Sequence, residues 1–572
     1  MIYNPMRMTK NISVLCFALV IGTAAVAQPS INAAIKLTSS EQFESAGKLF
    51  KDLLNKEPNN GDIYYFYGEN YLKEYFTDSA SIIFEEISKP AAELFRTGMK
   101  VDSLNPINYV GLGKIALYGH NLVDAKKYFI QAESLLPSRS NRRSPVLPPK
   151  QALTYMKIAE AYIFSPYQDT AIIFDYLRKS EKVDPKNPEL YILFGDGYMK
   201  GNDGSNAITC YKKAQALDPK SPKSNLRIGQ LWMRTRNYND ALAYYREAIK
   251  IDSTFAPAYR ELAELYALAK RYTEAIKTYN KFLSLSTTNL TAKVRYSSFL
   301  FMAKEYQQAI NNIAQIQAED STFIILYRLL AYSYLELNQP DNALLNIKKF
   351  LAKTQPQKII PSDYIYYGKI LAKMKNDSVA IDYYIKGYKM DTSNYDVLSD
   401  IAISYNKMKK FDKAAYYYEV KIRDNKAIPN DYYNLAKVYY SSGYWIKADT
   451  NFAIFINLQP NYVLAYQWRA RTNANIDPDA IDGKAKPYFE MLVQKALPDS
   501  AKYVKEITEA YSYFAYYYFK QYLMNKKDGD KKDAIQWCEK VLAISPNDEK
   551  ALTMYKSLSG ENWKPKNPQI KN

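Results

Sequence analysis

Histidine is almost missing: His120 is the single one in 572 residues. Without a second histidine, a His-based metal site, a Cys–His pair or a Ser-His-Asp arrangement is hard to assemble. His120 itself, between Gly119 and Asn121, reads as an exposed turn residue. Cysteine is nearly as scarce. Cys16 lies in the N-terminal apolar stretch, and Cys210 and Cys538 are too distant in sequence to pair where contacts run between neighbours. Both read as small core residues. The 19 glycines are too few for a chain of many strands and tight turns. No glycine-rich phosphate loop and no dinucleotide fingerprint occur. Beyond the N-terminal stretch, no run of about 18 apolar residues is long enough to span a bilayer. These absences argue against an enzyme and imply no cofactor and no metal.

Tyrosine is abundant, at 55 residues, and aromatics make up 15% of a chain that is 47% hydrophobic. Enough apolar surface is present for a large core. Lys and Arg exceed Asp and Glu by 77 to 59, a net charge of +18 that favours acidic partners or anionic surfaces. At the N-terminus, Arg7 and Lys10 precede an apolar stretch from Ile12 to Ala25, and Ala25-Val26-Ala27 follows as a small-x-small cleavage pattern. Residues 1–27 therefore read as a signal peptide cleaved after Ala27, and the mature chain as exported, periplasmic or associated with an outer membrane. Lipid attachment at Cys16 is disfavoured by Leu15 before it. Asp477, Asp479 and Asp482-Gly483 lack the spacing and the closing Glu of a calcium loop and read as solvated turns, as does Asp528-Gly529-Asp530.

One unit recurs. Tyr191, Phe194, Gly195 and Tyr198 share one face of a helix, Gly201 to Gly204 is turn chemistry, and Ala207, Tyr211 and Ala214 face one side of a second helix that Pro219 ends. Ala207, Ala241, Ala275, Ala309 and Ala343 are each 34 residues apart, and Ala380, Ala414 and Ala448 continue the period. Ala46, Ala80, Ala125 and Ala171 extend the series towards the N-terminus. An aromatic follows four residues later at Phe50, Phe84, Phe129, Tyr211, Tyr245, Tyr279, Tyr384, Tyr418 and Phe452. The spacing breaks at 88–105, 138–150, 475–487 and 525–532.

These residues resemble the tetratricopeptide repeat family, in the manner of an exported bacterial multi-repeat member. The resemblance implies an all-α, right-handed superhelical solenoid of about fourteen helix-turn-helix repeats. About twelve clear ones are expected over 28–473, degenerate ones around Ala485-Phe489-Leu492 and Ala534-Val541 over 474–560, and a basic tail over 561–572. It also implies that first helices line a concave groove. Projecting the family's groove positions onto this sequence gives Arg260, Glu264, Val294, Phe301, Arg328, Tyr332, Lys369, Lys373, Tyr433, Lys437 and Tyr440. Glu264 follows Arg260, and Tyr332 follows Arg328, where chaperone-binding members carry Asn, so their carboxylate clamp is absent. The expected function is a non-catalytic protein–protein interaction scaffold of the periplasm or cell envelope, whose groove takes partners with acidic and hydrophobic segments. Peripheral association with an envelope membrane complex, in outer-membrane, secretion or surface assembly, fits the same reading. Nucleic acid is disfavoured by export. The alternative is a binder or carrier of anionic glycan or lipid, suggested by the +18 charge and the tyrosines outside the repeat pattern.

Overall fold

The computed structural model describes residues 30–77, 84–286 and 290–564, and every regular element among them is a helix. The signal-peptide residues and the marker Ala80 lie outside that set. The chain divides into two compact units, Met1–Lys304 and Glu305–Asn572.

Unit 1 contains α1 (Ile31–Ser39), α2 (Phe43–Lys56), α3 (Gly61–Thr77), α4 (Phe84–Val101), α5 (Pro106–Tyr118), α6 (Leu122–Ser134), α7 (Pro148–Phe164) and α8 (Thr170–Val183). It continues with α9 (Pro188–Lys200), α10 (Gly204–Leu217), α11 (Pro222–Arg234), α12 (Tyr238–Ile251), α13 (Ala256–Leu268), α14 (Tyr272–Leu285) and α15 (Leu290–Met302). Local chemistry sets the boundaries. Proline opens α5, α9 and α11, where its missing N–H costs nothing, and Asn105, Asn187 and Ser221 just before it accept a first-turn N–H. Asn121, Asp169 and Asp203 cap the second helices in the same way. Between the helices of a pair the chain turns through one left-handed residue, at Asn202, Arg236, Lys270 and Lys304, each 34 positions after the last. His120 occupies the corresponding turn after α5 with φ of 63°, exposed to solvent.

The joint inside each pair is built on the repeated alanine. Ala46, Ala125, Ala207, Ala241 and Ala275 are fully buried, and Phe50, Phe129, Tyr211, Tyr245 and Tyr279 are at most 2% exposed. The ring lies flat on the first helix where that helix has glycine. A Cβ added at Gly229 would stand 2.5 Å from Cε1 of Tyr245. Gly229→Ala is therefore expected to lower stability by about 1–3 kcal/mol through overpacking. A urea midpoint equal to that of the parent protein would contradict this joint.

Two markers shift. Ala171 is exposed, and Ile173, fully buried against Gly197, takes the joint position in α8. In the second pair the joint is Ala91 with Phe95, not Phe84, which is half-buried against Tyr75. Ala91 and Ala125 are again 34 residues apart, so the extra residues lie ahead of Ala91, in the connection from α3 and the lengthened start of α4.

Unit 2 repeats the same pairs from Tyr306–Glu319 to Glu549–Ser559. Ala309, Ala343, Ala380, Ala414 and Ala448 are fully buried, as are Ala485, Leu492, Ala534 and Val541 in the late pairs. The 475–487 break is more structured than a solvated turn. The Asp477 carboxylate is buried and accepts the backbone N–H groups of Ile481 (2.9 Å) and Lys484 (3.2 Å). The loop is thus wound around that side chain. Cys538 is buried, and Cys210 is half-buried against the core of unit 1. Among the described residues no helix is long and apolar enough to cross a membrane.

Candidate functional site

In both units the first helix of a pair packs not only on its own partner but on the first helices of neighbouring pairs, as α3 does on α5, α5 on α7 and α7 on α9. Second helices meet chiefly their neighbours in sequence. First helices therefore crowd the inner side of each curved stack, and side chains there face one another across pairs.

In unit 1 the curvature brings the first pair against the seventh. Lys36 pairs with Asp252 at 2.9 Å, Gln42 donates to the Thr254 carbonyl at 3.1 Å, and the Ser286 hydroxyl donates to the Glu41 carbonyl at 3.0 Å. Arg260 pairs with the Glu41 carboxylate, 219 residues away in sequence. The inner helices thereby surround a cavity of about 360 Å³. Its wall holds a buried charge cluster. Lys114 Nζ lies 2.7 Å from Glu69 and 2.6 Å from Glu160, and Lys157 bridges the same two carboxylates at 3.0 and 2.8 Å. Burial alone would raise the Glu160 carboxyl, but Lys114, Lys157 and Lys73 together hold it well below the usual glutamate range. Burial likewise opposes the Lys114 ammonium, and Glu160 and Glu69 outweigh it. Further round, Lys223 pairs with Glu189 (3.0 Å) and Arg227 with Asp196 (2.9 Å).

The projected groove residues fall on the first helices, in differing circumstances. Arg260 is held at the seam of unit 1, and Glu264 is held by Arg295. Val294 is buried, and Phe301 is half-buried on α15. In unit 2, Arg328 grips both oxygens of the fully buried Asp363 at 2.7 and 2.8 Å, donates to the Lys358 carbonyl, and lies 4.4 Å over the Phe350 ring. The Tyr332 hydroxyl donates to the same carboxylate at 2.8 Å, and its ring stacks on Tyr366. These two side chains knit adjacent pairs together. Lys369 and Lys373 are more open: the first sits 5.8 Å over the Tyr366 ring and 3.7 Å from Asp400, the second donates to Asn338. Tyr433 packs against Phe455 and Tyr462. Lys437 stands 5.6 Å over Tyr433 and 5.1 Å over Trp468, and Tyr440 meets Trp468 edge-on at 5.2 Å.

The sequence reading missed the charge cluster of unit 1 and the Trp468–Arg471 pair of unit 2, in which Arg471 grips Glu509 and lies over the indole. A charged residue on one amphipathic helix reads as solvated until the next pair is laid against it. Among the described residues no cluster of His, Cys, Asp and Glu could hold a metal.

Paired helices stacked through small-residue joints define a helical repeat protein. Two tetratricopeptide repeat family models match, over residues 192–254 and 233–283. The C-terminal part of a TPR repeat-containing protein from Cytophaga hutchinsonii is 35% identical, the alignment covering 46% of this chain and 98% of that one, with a TM-score of 0.42. The chain belongs to the tetratricopeptide repeat family. A tetratricopeptide repeat protein from Parabacteroides merdae is 17% identical over 45% of this chain and 99% of its own, with a TM-score of 0.33. The human IFIT1 dimer with m7Gppp-AAAA is 14% identical over 75% and 99%, with a TM-score of 0.37. No curated protein matches the chain. Repeats of this family generally serve as non-catalytic scaffolds for protein–protein interaction, and this chain has that architecture.

Proposed function

We propose that this protein is an exported scaffold of the periplasm or cell envelope that holds an extended segment of a partner protein on the inner face of unit 2. The segment carries acidic and hydrophobic residues. The observation behind this is Lys437: half-buried between the Tyr433 and Trp468 rings, with no carboxylate partner among the described residues. An ammonium kept there without an anion favours an acidic group, and the rings beside it offer an anchor for an apolar one. Lys369 also lies over a ring, that of Tyr366, but it has Asp400 3.7 Å away. Export rests on the basic and apolar N-terminal residues and the small-x-small pattern ending at Ala27.

Crosslinking in the native host, followed by identification of the captured protein, supplies the partner. With that partner, Lys437→Glu should slow association about tenfold at low salt, with the gap closing at high salt. Trp468→Ala should chiefly speed dissociation, weakening affinity by about 1–3 kcal/mol. Arg328 is unsuitable for such a test because its removal would strand the buried Asp363. If both variants bind as the parent does while deletion of residues 138–150 abolishes binding, the site lies on that loop instead.

A further inference from the structure

The cavity of unit 1 holds a second, chemically different arrangement. Phe76, near the end of α3, and Phe164, at the end of α7, are 40% and 43% exposed although both line the cavity. The Tyr118 ring from α5 meets Phe76 edge-on at 4.8 Å, and Phe164 lies 6.3 Å from it. Three aromatic rings from three successive pairs thus converge with part of their surface turned to open space. One helical turn before Phe76 stands Lys73. Its ammonium is 3.8 Å from Glu160, beyond hydrogen-bond reach, because the lysines at 114 and 157 already occupy that carboxylate and Glu69. The Lys73 side chain is 37% exposed, and partial burial, with Lys157 and Lys223 nearby, lowers its ammonium below the usual lysine range although Glu160 and Glu69 oppose the shift.

We propose that this cavity binds a small monocarboxylate with an apolar body, the carboxylate on Lys73 and the body on Phe76, Phe164 and Tyr118. One incompletely satisfied cation takes one negative charge. A multiply charged anion would meet Glu69, Glu160 and Glu189 on the same wall. About 360 Å³ suits a small molecule, and the seam at Glu41 and Arg260 closes the ring against a folded partner. This site is independent of the unit 2 reading, because none of its residues belongs to that unit.

Octanoate and octan-1-ol, titrated into the mature chain by calorimetry, test it. Octanoate should bind one molecule per chain, and the alcohol at least about tenfold more weakly, since a charge-assisted hydrogen bond is lost. Lys73→Met should reduce octanoate affinity about tenfold or more while leaving that of octan-1-ol unchanged. Phe76→Ala should weaken both ligands. No octanoate binding at millimolar concentration, or equal binding of acid and alcohol by the parent protein, would overturn the proposal. Neither result depends on whether a variant folds.

Discussion

Lys114→Met is expected to destabilise unit 1 by about 3–5 kcal/mol at pH 7, because it leaves the Glu69 and Glu160 carboxylates buried with only part of their compensation. The Lys114 side chain is 2% exposed, and its ammonium touches both acids. Lys157 remains on the same two carboxylates and limits the loss to the lower part of that range. The pH dependence carries a sign. Both glutamates are held below their unfolded range, so the stability they contribute is present above the unfolded glutamate pKa and is lost as pH falls through the lower folded values. In the variant the folded values rise, and a modest fall in pH neutralises a carboxylate that no longer has its partner. The penalty measured at pH 7 should therefore shrink at pH 5. Hydrogen exchange in α3, α5 and α7 at the two pH values reads this directly. A penalty that grows on acidification would refute the assignment of charge in this cluster.

Ala275→Arg is the second large effect, about 3–5 kcal/mol, from forcing an unpaired guanidinium into a joint with no space for it. Ala275 is fully buried in one cluster with Ala241, Tyr245, Leu262 and Tyr266, so the damage should reach α11 to α14. Because repeat stability is a sum of units and nearest-neighbour interfaces, distant pairs should be spared. Leu268→Arg, at a position 62% exposed at the end of α13, supplies the comparison and should lie within about 0.5 kcal/mol of the parent protein. Faster exchange in α13 and α14 for the first substitution but not the second is the expected pattern. Equal effects would show that Ala275 is not a joint.

What the sequence alone determined is the repeating unit. A buried alanine, an aromatic one turn on, a capped and proline-opened helix and a left-handed turn all act within about 34 residues. Each is decided by backbone geometry and by the nearest helix face, so all are written locally. Even there, a marker could slip: Ala171 has the right residue type, but Ile173 has the right phase in α8. The tertiary structure alone decided which inner-face residues are spent on the fold. Arg328 and Tyr332 look like groove residues on their own helix, and the next pair supplies Asp363 to take them both. Lys73 and Lys437 look no different in sequence, yet among the described residues no such acid reaches hydrogen-bond distance of either. The closure of unit 1 is less local still. Glu41 meets Arg260 only because small rotations from pair to pair accumulate across the ring, and a rotation of that kind is a property of packed surfaces rather than of any one stretch of chain.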